Sequence, residues 1–208
     1  MVQAPIKPPT QQLSDAEFRQ FLQQDNSDNL YELIDGWLQI MAEPGGEHES
    51  IRSFLLIEFG IHVRQQGLSL EIHPMPICRL AKGEQRRPDL IVVDKAMWRR
   101  NTQSEAILEE PPELVVEVVS TNWEDDYIKK SRGYAAFGVK EYWIADLLLK
   151  VDQYPTRKNP DIHEPTLSIG TLAGRGYRWQ RFTGEQQIAS RLFPALELTV
   201  SQLVQALG

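Results

Sequence analysis

One cysteine, Cys78, is all the chain has, which excludes an internal disulfide and makes a reducing cytoplasm the expected setting. No run of about 18 apolar residues occurs, so no membrane-spanning helix is expected. The opening residues MVQAPIKPPTQQ lack the apolar core of a signal peptide. They read as a proline-rich, disordered lead over 1–12, ahead of a single domain over 13–208. Positive charge is scarce as well: the net charge of −7 argues against a protein that coats nucleic acid with its whole surface. A phosphate-binding loop ending in Gly-Lys-Ser/Thr is missing, as are a Gly-x-Ser-x-Gly elbow and paired cysteines for zinc. Gly170, Gly174 and Gly176 stand between strand segments rather than at a strand-to-helix turn, which leaves no dinucleotide fingerprint.

The composition that remains, 41% hydrophobic and 25% charged over 208 residues, is that of a globular protein with ample core. Ser14 with Glu17 three residues on marks a capping box, followed by a short helix to about Gln24. "NLYELIDGWLQIM" reads as two strands joined at Asp35-Gly36, a strong hairpin signal. In "EHESIRSFLLIEFGIHVRQQG" the residues Ile51, Leu55, Phe59 and Val63 recur with helical spacing, and Gly67 closes the helix. "LSLEIHP", "PICRL" and "PDLIVVD" are strands, and 95–112 reads as a polar loop with a helical turn. A helix over about 123–137 leads to the strand "KEYWIAD". The rest, 149–200, reads as β-rich, including "LKVDQY", before a final helix in "TVSQLVQAL". The expectation is a mixed α/β domain.

One residue stands out. Val115, Val116, Val118 and Val119 form a strand buried on both faces, yet Glu117 lies in its middle. An unpaired carboxylate there costs several kcal/mol, roughly, or is forced neutral. Asp89 opens another apolar strand, "DLIVVD". Pairing of the two strands brings the acids together as hard oxygen ligands suited to Mg²⁺ or Mn²⁺. On a helical projection Lys130 shares the sheet-facing side with Tyr127 and Tyr134, whereas Lys129 points away. Two acids and a lysine form the expected cluster. The plainer reading is a salt bridge from Lys130 to Asp126 at i, i+4. Residues 79–100 also carry a local net charge of +4, either a phosphate-contacting strip or a solvated loop.

The order Tyr31-Glu32-Leu33-Ile34-Asp35-Gly36, Glu47-His48, Pro88-Asp89, "ELVVEVVS" and "KKSRGYAAFGVKEYWIAD" resembles the Uma-type family of restriction-endonuclease-like proteins. That family, once a domain of unknown function, is placed in the PD-(D/E)XK nuclease superfamily. The resemblance spans about 28–200. It implies a restriction-endonuclease-like fold, a mixed central β-sheet flanked by helices with an N-terminal β-hairpin extension. It also implies that Asp89 and Glu117, helped by the Val118 carbonyl, bind Mg²⁺ or Mn²⁺. The superfamily's usual lysine position, two residues after the glutamate, is Val119 here. The resemblance therefore assigns the role to Lys130 on the following helix, with Lys129 as the fallback.

Glu32 and His48 match further motif positions, as a second carboxylate and a hydrogen-bonding partner. Arg86, Arg87, Arg99 and Arg100 are candidate phosphate contacts. The implied activity is that of a metal-dependent endodeoxyribonuclease, its partner nucleic acid, chiefly DNA, with a homodimer as the preferred assembly. The competing readings are a non-catalytic nucleic-acid- or protein-binding module on the same scaffold, and a structural protein with a buried Glu117–Lys130 ion pair. His62, His73 and His163 are read as structural.

Overall fold

The computed structural model describes residues 11–101, 107–154 and 160–207. Of the expected disordered lead, 1–10 lie outside these residues, while Gln12 already forms a β-bridge with Trp37. Helix α1 (Asp15–Gln24) starts on the Ser14–Glu17 capping box. Strands β1 (Tyr31–Ile34) and β2 (Trp37–Ile40) pair antiparallel. Asp35 (φ 51°) and Gly36 (φ 78°) turn the chain between them, the two positive φ values of a type I′ turn. Helix α2 (Gly46–Gln65) buries Ile51, Leu55, Phe59 and Val63, the spacing read from the sequence.

Strands β3 (Leu70–Pro74), β4 (Ile77–Ala81), β5 (Glu84–Arg86) and β6 (Leu90–Asp94) follow. The short β5 was not foreseen; its three polar residues Glu84-Gln85-Arg86 have no apolar alternation to betray a strand. The helical turn expected within 95–112 is helix α3 (Lys95–Asn101), at the start of that stretch. Asp94 Oδ1 accepts from the backbone N–H groups of Ala96 (2.9 Å) and Met97 (3.0 Å), so the last strand residue caps a helix. Residues 102–106 of that stretch lie outside the described ones. Strands β7 (Ile107–Leu108) and β8 (Leu114–Val118) complete the middle of the chain.

The helix expected over 123–137 is present, but its middle, Asp125–Lys130, is a π-helical turn; Trp123 and Glu124 precede it in α-helical conformation and α4 (Ser131–Phe137) continues it. Strand β9 (Glu141–Asp146) follows. "LKVDQY" is not a strand but contains helix α5 (Lys150–Gln153). The Asp146 carboxylate accepts from Lys150 N (2.7 Å) and Val151 N (3.1 Å), and these bonds to otherwise orphaned donors favour a helical turn. Strands β10 (Thr166–Ala173) and β11 (Gly176–Thr183) form a hairpin, and α6 (Val200–Gln205) ends on the described C-terminal side.

Two sheets result: β2-β1-β5-β4-β7, and the central β11-β10-β9-β8-β6-β3. The hairpin expected as an extension is thus part of a sheet of its own. In the central sheet β8 and β9 run parallel and the remaining neighbours antiparallel, and the π turn and α4 connect β8 to β9. Both faces are buried. Leu114, Val116 and Val118 pack with α2 and α6 in one core cluster, and Val115 and Val119 with Trp123, Tyr134 and Tyr142 in the other. Glu117 projects into the second.

Candidate active site

Antiparallel pairing of β6 with β8 sets Leu90 opposite Val116, which carries Asp89, one residue earlier, to the side of Glu117. Both acids are buried. Asp89 Oδ2 accepts from the Val118 backbone N–H at 2.6 Å, a charge-assisted bond that fixes the carboxylate to the neighbouring strand. Glu117 accepts at Oε2 from Lys130 Nζ (2.8 Å) and at Oε1 from the Tyr134 hydroxyl (2.7 Å). Burial pushes its carboxyl well above the usual carboxylate range. Lys130 pulls the other way, and the nearby charges of Asp89 and Asp126 add to the rise.

The π turn and α4 supply the opposite wall. Asp126, Lys130 and Tyr134, four residues apart, all face the sheet, and Lys130 Nζ also reaches Asp126 Oδ1 at 3.0 Å. The Lys130 side chain is 12% exposed, whereas Lys129 is 64% exposed and lies 3.5 Å from Asp125. Of the two lysines, Lys130 alone is beside the acids. Burial opposes its charge, but Asp126, Glu117, Glu32 and Asp125 outweigh burial and hold its ammonium well above the ordinary lysine range. π-helical turns recur at functional sites, and this one directs Lys130 onto a buried carboxylate.

His48, in the first turn of α2, places Nε2 3.3 Å from Asp89 Oδ2. Its Nδ1 lies 3.7 Å from Glu49 Oε1, and neither of those two buried atoms has a hydrogen-bond partner among the described residues. Glu32 on β1 accepts from Arg87 N (2.7 Å) and Arg86 Nη1 (3.3 Å). His48 therefore borders Asp89 from α2, while Glu32, on the small sheet, adds its charge to those acting on Lys130.

Of the four arginines expected to contact phosphate, Arg86 and Arg87 are turned into the fold. Arg86 is only 2% exposed, and its guanidinium bonds Glu32, Glu84 (2.6 Å) and Asp125 (3.1 Å). Arg87 donates to the backbone carbonyls of Tyr31 (3.0 Å) and Met75 (2.8 Å). Both are framework: Arg86 is buried among three carboxylates, and Arg87 ties β1 to the Met75 turn through two backbone carbonyls. Arg79 is held by Asp15 and Glu109. Arg99 and Arg100 are exposed, the latter paired with Glu110 at 3.3 Å. The basic strip is thus largely neutralised within the fold. His62 packs edge-on against Phe193, His73 stacks on Trp98, and His163 pairs with Asp152 and Asp161.

Among the described residues no group of three His, Cys, Asp or Glu side chains is arranged to hold a metal ion. An ion at this site would rest on two carboxylates, completed by a backbone carbonyl and water. The donors fit a hard divalent cation: oxygen ligands on neighbouring strands, with the charge of Asp89 opposing the ionisation of Glu117. Tyr134 was missed as a site residue, although it stands four residues after Lys130 on the same helical face.

Comparison with known proteins bears on this arrangement. The family model described as "Uma2: Putative restriction endonuclease" matches residues 15–201. A crystal structure described as a "putative nuclease belonging to DUF820", from Anabaena variabilis ATCC 29413, superposes with a TM-score of 0.67 at 18% identity. The match covers 91% of this chain and 97% of that one. It is a likeness of fold, and it bears out the restriction-endonuclease-like architecture expected from the sequence. No curated protein matches the chain.

Proposed function

The chain belongs to the Uma2 family, described as "Putative restriction endonuclease", and from that premise we propose that it is a divalent-metal-dependent endonuclease acting on DNA. The observation that carries this reading is the buried Glu117 carboxylate, set beside Asp89 and bonded by Lys130 at 2.8 Å. Asp89 and Glu117, with the Val118 carbonyl, would hold Mg²⁺ or Mn²⁺. When bound, the ion lowers the pKa of its water and neutralises charge on the phosphate. Asp89 is kept in place by the Val118 N–H, and Glu117 by the Tyr134 hydroxyl. Lys130 presents a permanent positive charge in a largely water-excluded pocket, where it orients the attacking water or stabilises charge on the phosphate as the bond to the leaving oxygen breaks. Asp126 steadies that ammonium from the side away from Glu117. Glu32 and His48 close the pocket as second carboxylate and hydrogen-bonding partner of Asp89. With one buried thiol and no helix among the described residues long and apolar enough to cross a membrane, the cytoplasm is the compartment we propose.

A specific observation favours the second reading, a non-catalytic binding module. Both Glu117 oxygens already have partners within the fold, as a purely structural ion pair would. The experiment that separates them is cleavage of plasmid, linear duplex, single strands, branched DNA and RNA with Mg²⁺ or Mn²⁺, against a chelator control. Wild type, Glu117→Gln and Lys130→Ala are compared. The nuclease reading expects metal-dependent cleavage abolished by both substitutions. Cleavage that survives Lys130→Ala would move the lysine's role elsewhere, and a wild type that neither cleaves nor binds Mn²⁺ favours the binding module.

A further inference from the structure

With Arg86 and Arg87 turned into the fold and Arg79 held in surface ion pairs with Asp15 and Glu109, a second cation beside the acids, besides Lys130, would stand on another element. Arg52 meets that condition. It stands on α2 four residues after His48, on the same face, and its charge acts on His48, whose ring touches Asp89. Its side chain is 18% exposed. Among the described residues its guanidinium bonds Glu49 and the Met75 sulfur, so two of its five N–H donors are used, one of them on a weak thioether acceptor. Met75 itself is fixed beside the site in a left-handed conformation (φ 54°), with its N–H on Asp89 O (3.3 Å) and its carbonyl on Arg87. The guanidinium is therefore positioned, partly exposed and with donors to spare, beside His48 and Asp89.

We infer that Arg52 is the phosphate anchor of this site, taking a backbone phosphate of the nucleic-acid strand into its free N–H fork while Glu49 holds the other side. This rests on the nuclease reading and extends it to how the substrate is held. A planar fork suits phosphate oxygens better than an ammonium does. Glu49 acts as a restraint and competitor: it keeps Arg52 aimed in the free protein and opposes an incoming anion. Substitutions at the two positions therefore have opposite signs, which a merely structural Arg52–Glu49 pair would not produce.

The test uses full-length protein in the Glu117→Gln background, which blocks cleavage, and a fluorescein-labelled DNA duplex with Mg²⁺ as the probe. Adding Arg52→Ala should weaken binding about tenfold, the loss of one charge-assisted contact. It should also reduce the slope of log affinity against log salt by about one. Arg52→Lys should recover part of the affinity, and Glu49→Gln should hold or raise it. Duplex binding that is unchanged by Arg52→Ala, or weakened alike by Arg52→Ala and Glu49→Gln, overturns the inference. Mn²⁺ binding and cleavage by the otherwise wild-type protein are followed separately. Their absence overturns the nuclease reading, whereas their presence beside an indifferent Arg52→Ala overturns only the anchor.

Discussion

Replacing Lys130 with methionine removes an ammonium from the midst of buried carboxylates while preserving most of the side chain's length and flexibility. In the native protein that ammonium bonds Glu117 at 2.8 Å and Asp126 at 3.0 Å. Without it, Glu117 retains only the Tyr134 hydroxyl and faces Asp89 and Asp126 uncompensated. Removing one partner of a buried ion pair costs about 3–5 kcal/mol, a large part of the stability of a domain this size. Protonation of the acids relieves part of that cost, so the loss depends on pH. Burial pushes the Asp126 carboxyl up to about 6 despite the pull of Lys130. An acid whose folded pKa lies above its unfolded value contributes stability that is present below about pH 4 and lost as pH rises through the folded value. Taking away the lysine raises the folded values of Asp126 and Glu117 further, which carries this loss to higher pH.

The deficit of Lys130→Met should therefore be small near about pH 5 and approach the full 3–5 kcal/mol near about pH 8. Urea unfolding by linear extrapolation measures it. The double variant Lys130→Met with Glu117→Gln should be more stable than the sum of the single losses implies, by about 2 kcal/mol or more, since the residues are in contact. A loss under about 1 kcal/mol at both pH values, or strictly additive losses, would refute the claim that the lysine compensates a buried charge.

Three other outcomes follow from the same geometry. Tyr134→Phe deletes the donor on Glu117 Oε1 with little change in volume and should cost about 1–3 kcal/mol, read by urea unfolding, while slowing metal-dependent cleavage and leaving duplex binding intact. Arg86→Met leaves Glu32, Glu84 and Asp125 without their shared cation and should cost about 3–5 kcal/mol; Arg86→Lys should recover little of it, because an ammonium cannot serve three carboxylates from one planar fork. At His48 burial favours the neutral ring, but the hydrogen bond and charge of Asp89, with Glu49, outweigh it and hold the ring's pKa above 6.5. The stability it contributes is present below pH 6.5 and lost as pH rises through the raised value, so His48→Gln should flatten that limb of the stability–pH curve measured by thermal unfolding.

The placement of the acids was legible in the sequence for a simple physical reason. Glu117 violates an apolar strand, and strand pairing leaves it few neighbours other than Asp89. The Asp35-Gly36 turn was legible too, since only residues tolerant of positive φ fit there. The arginines were not. Composition shows charge but not which carboxylates will meet it, and Arg86 is claimed by Glu32, Glu84 and Asp125 from distant parts of the chain. The place and extent of helix α3, and helix α5 altogether, escaped for the same kind of reason. Asp94 and Asp146 end strands and cap the following turn with side chains whose reach depends on tertiary placement. Helical periodicity found the inward face of Lys130 but not the π turn that delivers it.

The most direct test of the account is Mn²⁺ binding followed by calorimetry or electron paramagnetic resonance, on wild type, Asp89→Asn and Glu117→Gln, with folding checked by circular dichroism. The account predicts saturable binding by the wild type, weakened at least about tenfold by either substitution, as expected where two carboxylates carry the ion. Binding that is absent in the wild type, or equal in all three proteins, would contradict it and leave Glu117 and Lys130 as a buried ion pair without a metal to hold.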